Sequence, residues 1–152
     1  MAESDADIAR EIAVGLLRVV NKINQGRRTP RRYGAGPPLT MLEAEMCFLI
    51  SHRSGITGSE IAQRLGVTRS AMSQNIAKLK QKGLVSELPD AADAKRKKLF
   101  VTAAGQRAAD VADDYGRRMA AELFTTLRAE LESYLRLVTK WENFLDAARD
   151  AW

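Results

Sequence analysis

The sequence predicts a mainly α fold with a small β component (α+β), on three observations. Apolar residues recur at helical spacing over most of the chain. Threonines followed three residues later by glutamate, and glycines just past the apolar runs, punctuate that pattern as helix starts and stops. Only between residues 84 and 101 does the pattern shorten to strand-like runs. The chain has 152 residues, a length suited to one domain. Its 45% hydrophobic and 28% charged residues are ordinary for a globular protein and exclude a disordered one.

The elements follow in order. Residues 7–25 read as a helix, with Ile8, Ile12, Leu16, Val19 and Ile23 on one stripe and Gly26 as a stop. RRTPRRYGAGPP, residues 27–38, is a loop carrying Arg27, Arg28, Arg31 and Arg32. A helix from Leu39 or Thr40 to about Arg53 opens on a Thr40–Glu43 capping box and buries Leu42, Met46, Leu49 and Ile50. Gly55 ends the connection. A second box, Thr57–Glu60, opens the helix 58–65, with Ile61, Ala62 and Leu65 inward and Gly66 as its stop. Thr68 caps a helix over about 69–82, closed by Gly83. Two helices joined by a few residues including a glycine form a helix-turn-helix.

Leu84–Leu88, stopped by Pro89, and Leu99–Val101 are two short strands around a polar and then basic tip. They make a hairpin, the wing of a winged helix-turn-helix. Thr102 caps a helix of about 103–124, and a last helix covers about 126–148. In the last helix Leu127, Leu131, Tyr134, Val138, Trp141, Leu145 and Ala148 repeat at spacings of 4 and 3. That seam suits packing against another long helix. The expected organisation is one subunit over 1–152, with a winged helix-turn-helix core at 39–105. Helices at 7–26 and 103–150 serve dimerisation.

Charge is concentrated where this core lies. The whole chain carries 24 basic and 19 acidic residues, a net of +5. Residues 53–102 hold ten basic and four acidic residues, a net of +6, which leaves the rest at −1. The helix 69–82 places Met72, Ile76 and Leu79 on one face, toward the core. Its other face carries Ser70, Ser73, Gln74, Ala77, Lys78 and Gln81, with Arg69 at the flank and no acidic residue. Small and polar residues without carboxylates suit a phosphate-lined groove. Gln74 suits bidentate pairing with adenine, and Arg69 or Lys78 suits guanine or phosphate. Thr68 opens the helix N-terminus toward phosphates. Lys95, Arg96 and Lys97, with Lys98, form a second basic cluster on the wing.

Residues 39–105 resemble the multiple-antibiotic-resistance-regulator (MarR) family of bacterial transcription factors. The carrying features are Gly66-Val67-Thr68, the Ser70-Ala71-x-Ser73-Gln74 helix start and Leu79-x-x-x-Gly83-Leu84-Val85. Asp93 followed by basic residues, an apolar strand and Thr102-x-x-Gly105 complete the likeness. The resemblance extends to the flanking helices. It implies a homodimer that binds double-stranded DNA at a pseudo-palindromic operator, usually as a repressor and often released by a small-molecule effector or an oxidant. The wing departs from the family's common Asp-Arg-Arg: here it reads Asp93-Ala94-Lys95-Arg96. Lys95 aligns with the arginine that usually probes the minor groove, and either Lys95 or Arg96 takes that role. The cysteine of the family's redox branch has no counterpart in the first helix.

Other chemistry is poorly supported. One cysteine, Cys47, permits no intrachain disulfide, and its apolar surroundings suit a buried thiol. His52, near a helix end, suits a structural or surface role. One His and one Cys are too few for a dedicated metal site, no cofactor is called for, and no catalytic constellation stands out. The acidic, polar N-terminus is unlike a signal peptide, and no apolar run spans a membrane, so a cytoplasmic location is expected. Two other functions fit this fold: a winged-helix protein-interaction module, and a low-specificity nucleoid-associated protein. The acid-free helix face argues against the first. The second would lack a preferred palindrome.

Overall fold

The computed structural model describes residues 4–32 and 36–148. In chain order the elements are α1 (Asp5–Arg28), α2 (Met41–His52), β1 (Ile56–Thr57), α3 (Gly58–Leu65), α4 (Arg69–Gln81), β2 (Val85–Pro89), β3 (Lys97–Val101), α5 (Ala103–Leu123) and α6 (Arg128–Ala148). The chain divides into two units, 1–113 and 114–152. The mainly helical winged helix-turn-helix is the observed fold of the first unit.

Local chemistry explains each boundary. Thr40 and Glu43 form the expected reciprocal box: the Thr40 N–H donates to Glu43 Oε2 at 2.9 Å, and the Glu43 N–H to Thr40 Oγ1 at 3.1 Å. Thr57 and Glu60 repeat it at 2.8 and 3.3 Å. Thr68 accepts from the Ala71 N–H at 3.1 Å and opens α4. Gly66 and Gly83 end α3 and α4 in the left-handed region, at φ of +62° and +68°. The Leu84 N–H then returns to the Leu79 carbonyl at 2.9 Å, closing the last turn of α4.

Several boundaries differ from expectation: α1 starts at Asp5, β3 at Lys97 and α6 at Arg128, and three further differences have a physical reason. Gly26 does not stop α1; the helix runs on to Arg28. Two cations suit the last turn of a helix, and the break comes at Thr29, which the following Pro30 holds extended, at φ −84° and ψ 114°. The strand expected at Leu84–Leu88 runs from Val85 to Pro89: Pro89 does not stop it but is its last residue, paired with Lys97. The order β1-β3-β2 makes β2 an edge strand, where a missing N–H is tolerated. The strand β1 had no sequence signal. Its two residues pair with Lys98 and Leu99 of β3, and they are too few to show a period.

The core of the first unit is a contact among Met46, Cys47 and Ile50 of α2, Ile61 and Ala62 of α3, and Met72, Ile76 and Leu79 of α4. Ile56, Leu84, Val85 and Leu99 close it from the sheet side, and Ala108 and Ala109 from α5. Leu42, Leu49 and Leu65, expected inside, are only partly buried. The contrast with the terminal helices is sharp. Neither α1 nor α6 buries any residue, and Ile8, Ile12, Val19 and Ile23 of α1 are all more than 40% exposed. In α6 Tyr134, Val138 and Leu145 are each more than half exposed, as is Leu127 just before it.

Candidate nucleic-acid interface

With Met72, Ile76 and Leu79 buried, α4 has one orientation available. It leaves Arg69, Ser70, Ser73, Gln74, Ala77, Lys78 and Gln81 exposed, as does Thr68 at the cap. The Ser73 hydroxyl donates to the Arg69 carbonyl at 3.0 Å, so toward a ligand it offers lone pairs. Lys80 of α4 and Lys82 just past its end are directed elsewhere. Lys80 pairs with Glu87 of β2 at 2.7 Å, and Lys82 with Glu43 of α2 at 2.8 Å.

Two aspartates shape the wing tip between β2 and β3. Asp90 Oδ1 accepts from the Ala92 N–H at 2.9 Å, and Asp93 Oδ1 from the Lys95 N–H at 3.0 Å. The Asp90 N–H donates to the Arg96 carbonyl at 2.8 Å and closes the tip. Aspartates that bond their own backbone in this way are turn formers. The Ala92 N–H, seconded by Lys98, holds the Asp90 carboxyl below the usual range. Both aspartates are thereby spent on the turn, and Lys95, Arg96 and Lys97 stand exposed beyond it.

Helix and wing share a groove of about 400 Å³. It brings Arg69 and Ser73 together with Lys95, Arg96 and Lys97, over a floor that includes Thr57, Gly58 and Ile76. Thr68, Ser70, Gln74 and Lys78 lie outside it, on the exposed surface of α3–α4 and α4. Sequence reasoning missed two acidic groups in the groove, Glu60 and Glu87. The capping box was the signal for Glu60: its carboxyl is held low by the Thr57 N–H and then by the Thr57 hydroxyl.

The ion pairs sort the basic residues of 53–102. Arg53, Lys80, Lys82 and Lys98 are each within 4 Å of a carboxylate. Lys98 therefore belongs to the hairpin rather than to the free wing cluster, its partner Asp90 lying at 3.3 Å. Among the described residues, Arg64, Arg69, Lys78, Lys95, Arg96 and Lys97 have no such partner. Apart from Arg64 on α3, the uncompensated charge thus gathers on α4 and the wing. Of the four arginines at 27, 28, 31 and 32, Arg27 in the last turn of α1 is engaged with Glu45, whereas Arg28, Arg31 and Arg32 are exposed.

Cys47 is fully buried, and burial together with the Glu43 charge pushes its thiol up to about 12. A thiol so placed is not a sensor. We predict that the native protein resists alkylation by iodoacetamide at about pH 8.5, where a free thiol is half ionised. In denaturant it should gain one adduct by mass. His52 sits on the end of α2, with Nδ1 at 3.1 Å from the Phe48 carbonyl and its ring on that of Phe48. No helix among the described residues is long and apolar enough to cross a membrane.

Comparison with known proteins agrees with this geometry. The MarR family model matches residues 36–96. The transcriptional regulator HosA of Escherichia coli O127:H6 is 28% identical over 108 residues, covering 70% of this chain and 80% of HosA. A MarR/EmrR family transcriptional regulator from Acinetobacter sp. ADP1 superposes with a TM-score of 0.72 at 22% identity, over 92% of this chain and 98% of that one. FabT of Streptococcus pneumoniae, solved in complex with DNA, gives 0.66 at 17% identity, over 94% and 99%. HosA and the Acinetobacter protein are named as transcriptional regulators, and with motif, core and wing in agreement the chain has the winged-helix fold and, over residues 36–96, the sequence pattern of the MarR family.

Proposed function

We propose that two copies of this chain bind a pseudo-palindromic operator in double-stranded DNA, as a repressor released by a small-molecule effector. The observation that carries the reading is the sorting of charge. Four cations of the core are neutralised by carboxylates, while those on the exposed face of α4 and on the wing are left for phosphates. In this reading Thr68, Arg69, Ser70, Ser73, Gln74 and Lys78 enter a major groove. Lys95, Arg96 and Lys97 follow the backbone into the neighbouring minor groove. Two-fold symmetry sets the half-sites one helical turn apart, roughly 34–36 Å.

The exposed apolar stripes of α1 and α6 support the dimer. Contiguous apolar surface on this scale marks an interaction site, and the 3.5-residue spacing in α6 suits a helical partner. Charging that seam should abolish assembly: Val138→Glu is expected to halve the mass measured by light scattering, and an unchanged dimer mass would sink this interface. Repression and the effector rest on the family resemblance alone. An effector would act by binding two arrangements of the reading heads unequally.

Selection from a pool of random duplexes tests the operator reading. The chain should enrich a palindrome and protect it as a dimer. Enrichment of no sequence, with a steep salt dependence, would favour the nucleoid-associated alternative. Absence of binding at low salt would favour the protein-interaction module.

A further inference from the structure

Two ion pairs meet at the start of α2, one from α1 and one from the end of α4. Lys82 stands at the foot of α4, and its Nζ donates to both Glu43 carboxylate oxygens at 2.8 Å and to the Pro38 carbonyl at 3.1 Å. An ammonium has three protons, and all three are engaged. The Glu43 side chain is only 9% exposed, and its Oε2 also accepts the Thr40 N–H. Two residues further along α2, Glu45 is held by Arg27 from the last turn of α1. Residues two apart on a helix point about 200° apart. The first turn of α2 is therefore gripped from opposite sides, by α1 through Glu45 and by α4 through Glu43.

We propose that this turn is a strut, and that Lys82 is a positioning residue: its bond to Glu43 sets the angle at which α4 is presented to DNA, with α1 as the anchor. The proposal rests on the DNA-reading assignment above. The lever arm makes it consequential. A helix of 13 residues is about 20 Å long, so a tilt of about 5° at Lys82 moves Arg69 by nearly 2 Å. Hydrogen bonds to base edges do not survive such a shift, whereas contacts between mobile lysines and phosphates do. Loss of the strut should therefore lower specificity while sparing non-specific affinity. A lysine that touched phosphate would do the opposite. Its removal would lower the salt slope by about 0.9.

The test uses the full-length chain, a duplex selected by the wild type from a random pool, and a shuffled duplex of the same composition. Glu43→Gln keeps an oxygen for the Thr40 N–H and removes only the charge pairing. Lys82→Met removes the pair from the other side, Arg27→Met removes the α1 grip, and Lys82→Arg restores a cation. Glu43→Gln, Lys82→Met and Arg27→Met should each reduce the ratio of selected to shuffled affinity by about tenfold or more. Lys82→Arg should recover most of it, and the salt slope on the shuffled duplex should not move. Thermal unfolding followed by circular dichroism identifies the variants that remain folded, and Glu43→Gln is the one expected to be least perturbed. An unchanged ratio in folded variants, or a salt slope reduced by Lys82→Met, overturns the strut. A wild type that never prefers the selected duplex overturns the DNA-reading assignment itself.

Discussion

Replacing Gly105 with alanine is expected to cost about 3 kcal/mol or more, above most overpacking substitutions. A Cβ at this position would lie 1.9 Å from the Leu84 carbonyl oxygen, 2.9 Å from its carbon and 3.2 Å from Val101 Cβ. The obstacle is backbone, so no rotamer relieves it. That backbone is also pinned. The Leu84 carbonyl accepts the Thr102 N–H at 3.0 Å, and the Thr102 hydroxyl donates to the Gly83 carbonyl at 2.6 Å. Thr102 Oγ1 in turn accepts the Gly105 N–H at 3.1 Å. The first turn of α5 thus sits directly on the turn that ends α4, and alanine must lift it away. Gly66→Ala is the control. Gly66 has a left-handed φ of +62° but no neighbour within 4 Å of its would-be Cβ, so it should lose only about 1–2 kcal/mol of backbone strain. Urea unfolding of both variants decides. A Gly105→Ala protein as stable as Gly66→Ala would refute the close approach.

The second large effect is on DNA affinity. Removing Lys95, Arg96 and Lys97 together should flatten the plot of log affinity against log salt by about 0.9 for each cation that meets a phosphate, up to about 2.7 per subunit. Each of the three is exposed and, among the described residues, has no carboxylate within 4 Å; Arg96 acts only at longer range on Glu60 and Asp90, which keep closer hydrogen bonds of their own. Stability should hold, because surface substitutions away from buried features stay within about 0.5 kcal/mol. Fluorescence anisotropy at several salt concentrations reads the slope. A slope unchanged by the triple substitution would remove the wing from the interface.

Much of this arrangement could be read from local chemistry. Three threonine caps and two glycine stops placed α2, α3 and α4 to within a residue or two, because the interactions that end a helix lie within one turn of it. Burial of Met72, Ile76 and Leu79 followed from the helical period, and so did the composition of the exposed face. What escaped was either too short or too distant. The two residues of β1 carry no period. Gly26 looks like a stop, yet a glycine ends a helix only when it turns left-handed, and Pro30 decides the matter four residues later. The partners of Arg27 and Lys82 are 18 and 39 residues away. No local pattern announces such pairs, so the strut and the sorting of free from neutralised cations needed the fold. Lys98 shows the limit most simply: in sequence it is the fourth of four adjacent cations, and in space it is the partner of Asp90.

The central claim is that the exposed face of α4 reads base pairs, and Gln74 is the residue placed to do so. The most direct measurement compares wild type and Gln74→Ala on a selected duplex and on copies changed at one base pair at a time. The account predicts a loss of about 1–3 kcal/mol of discrimination at particular positions, with non-specific affinity and salt slope retained. An equal loss of affinity for every sequence, with the same positional preferences, would contradict it.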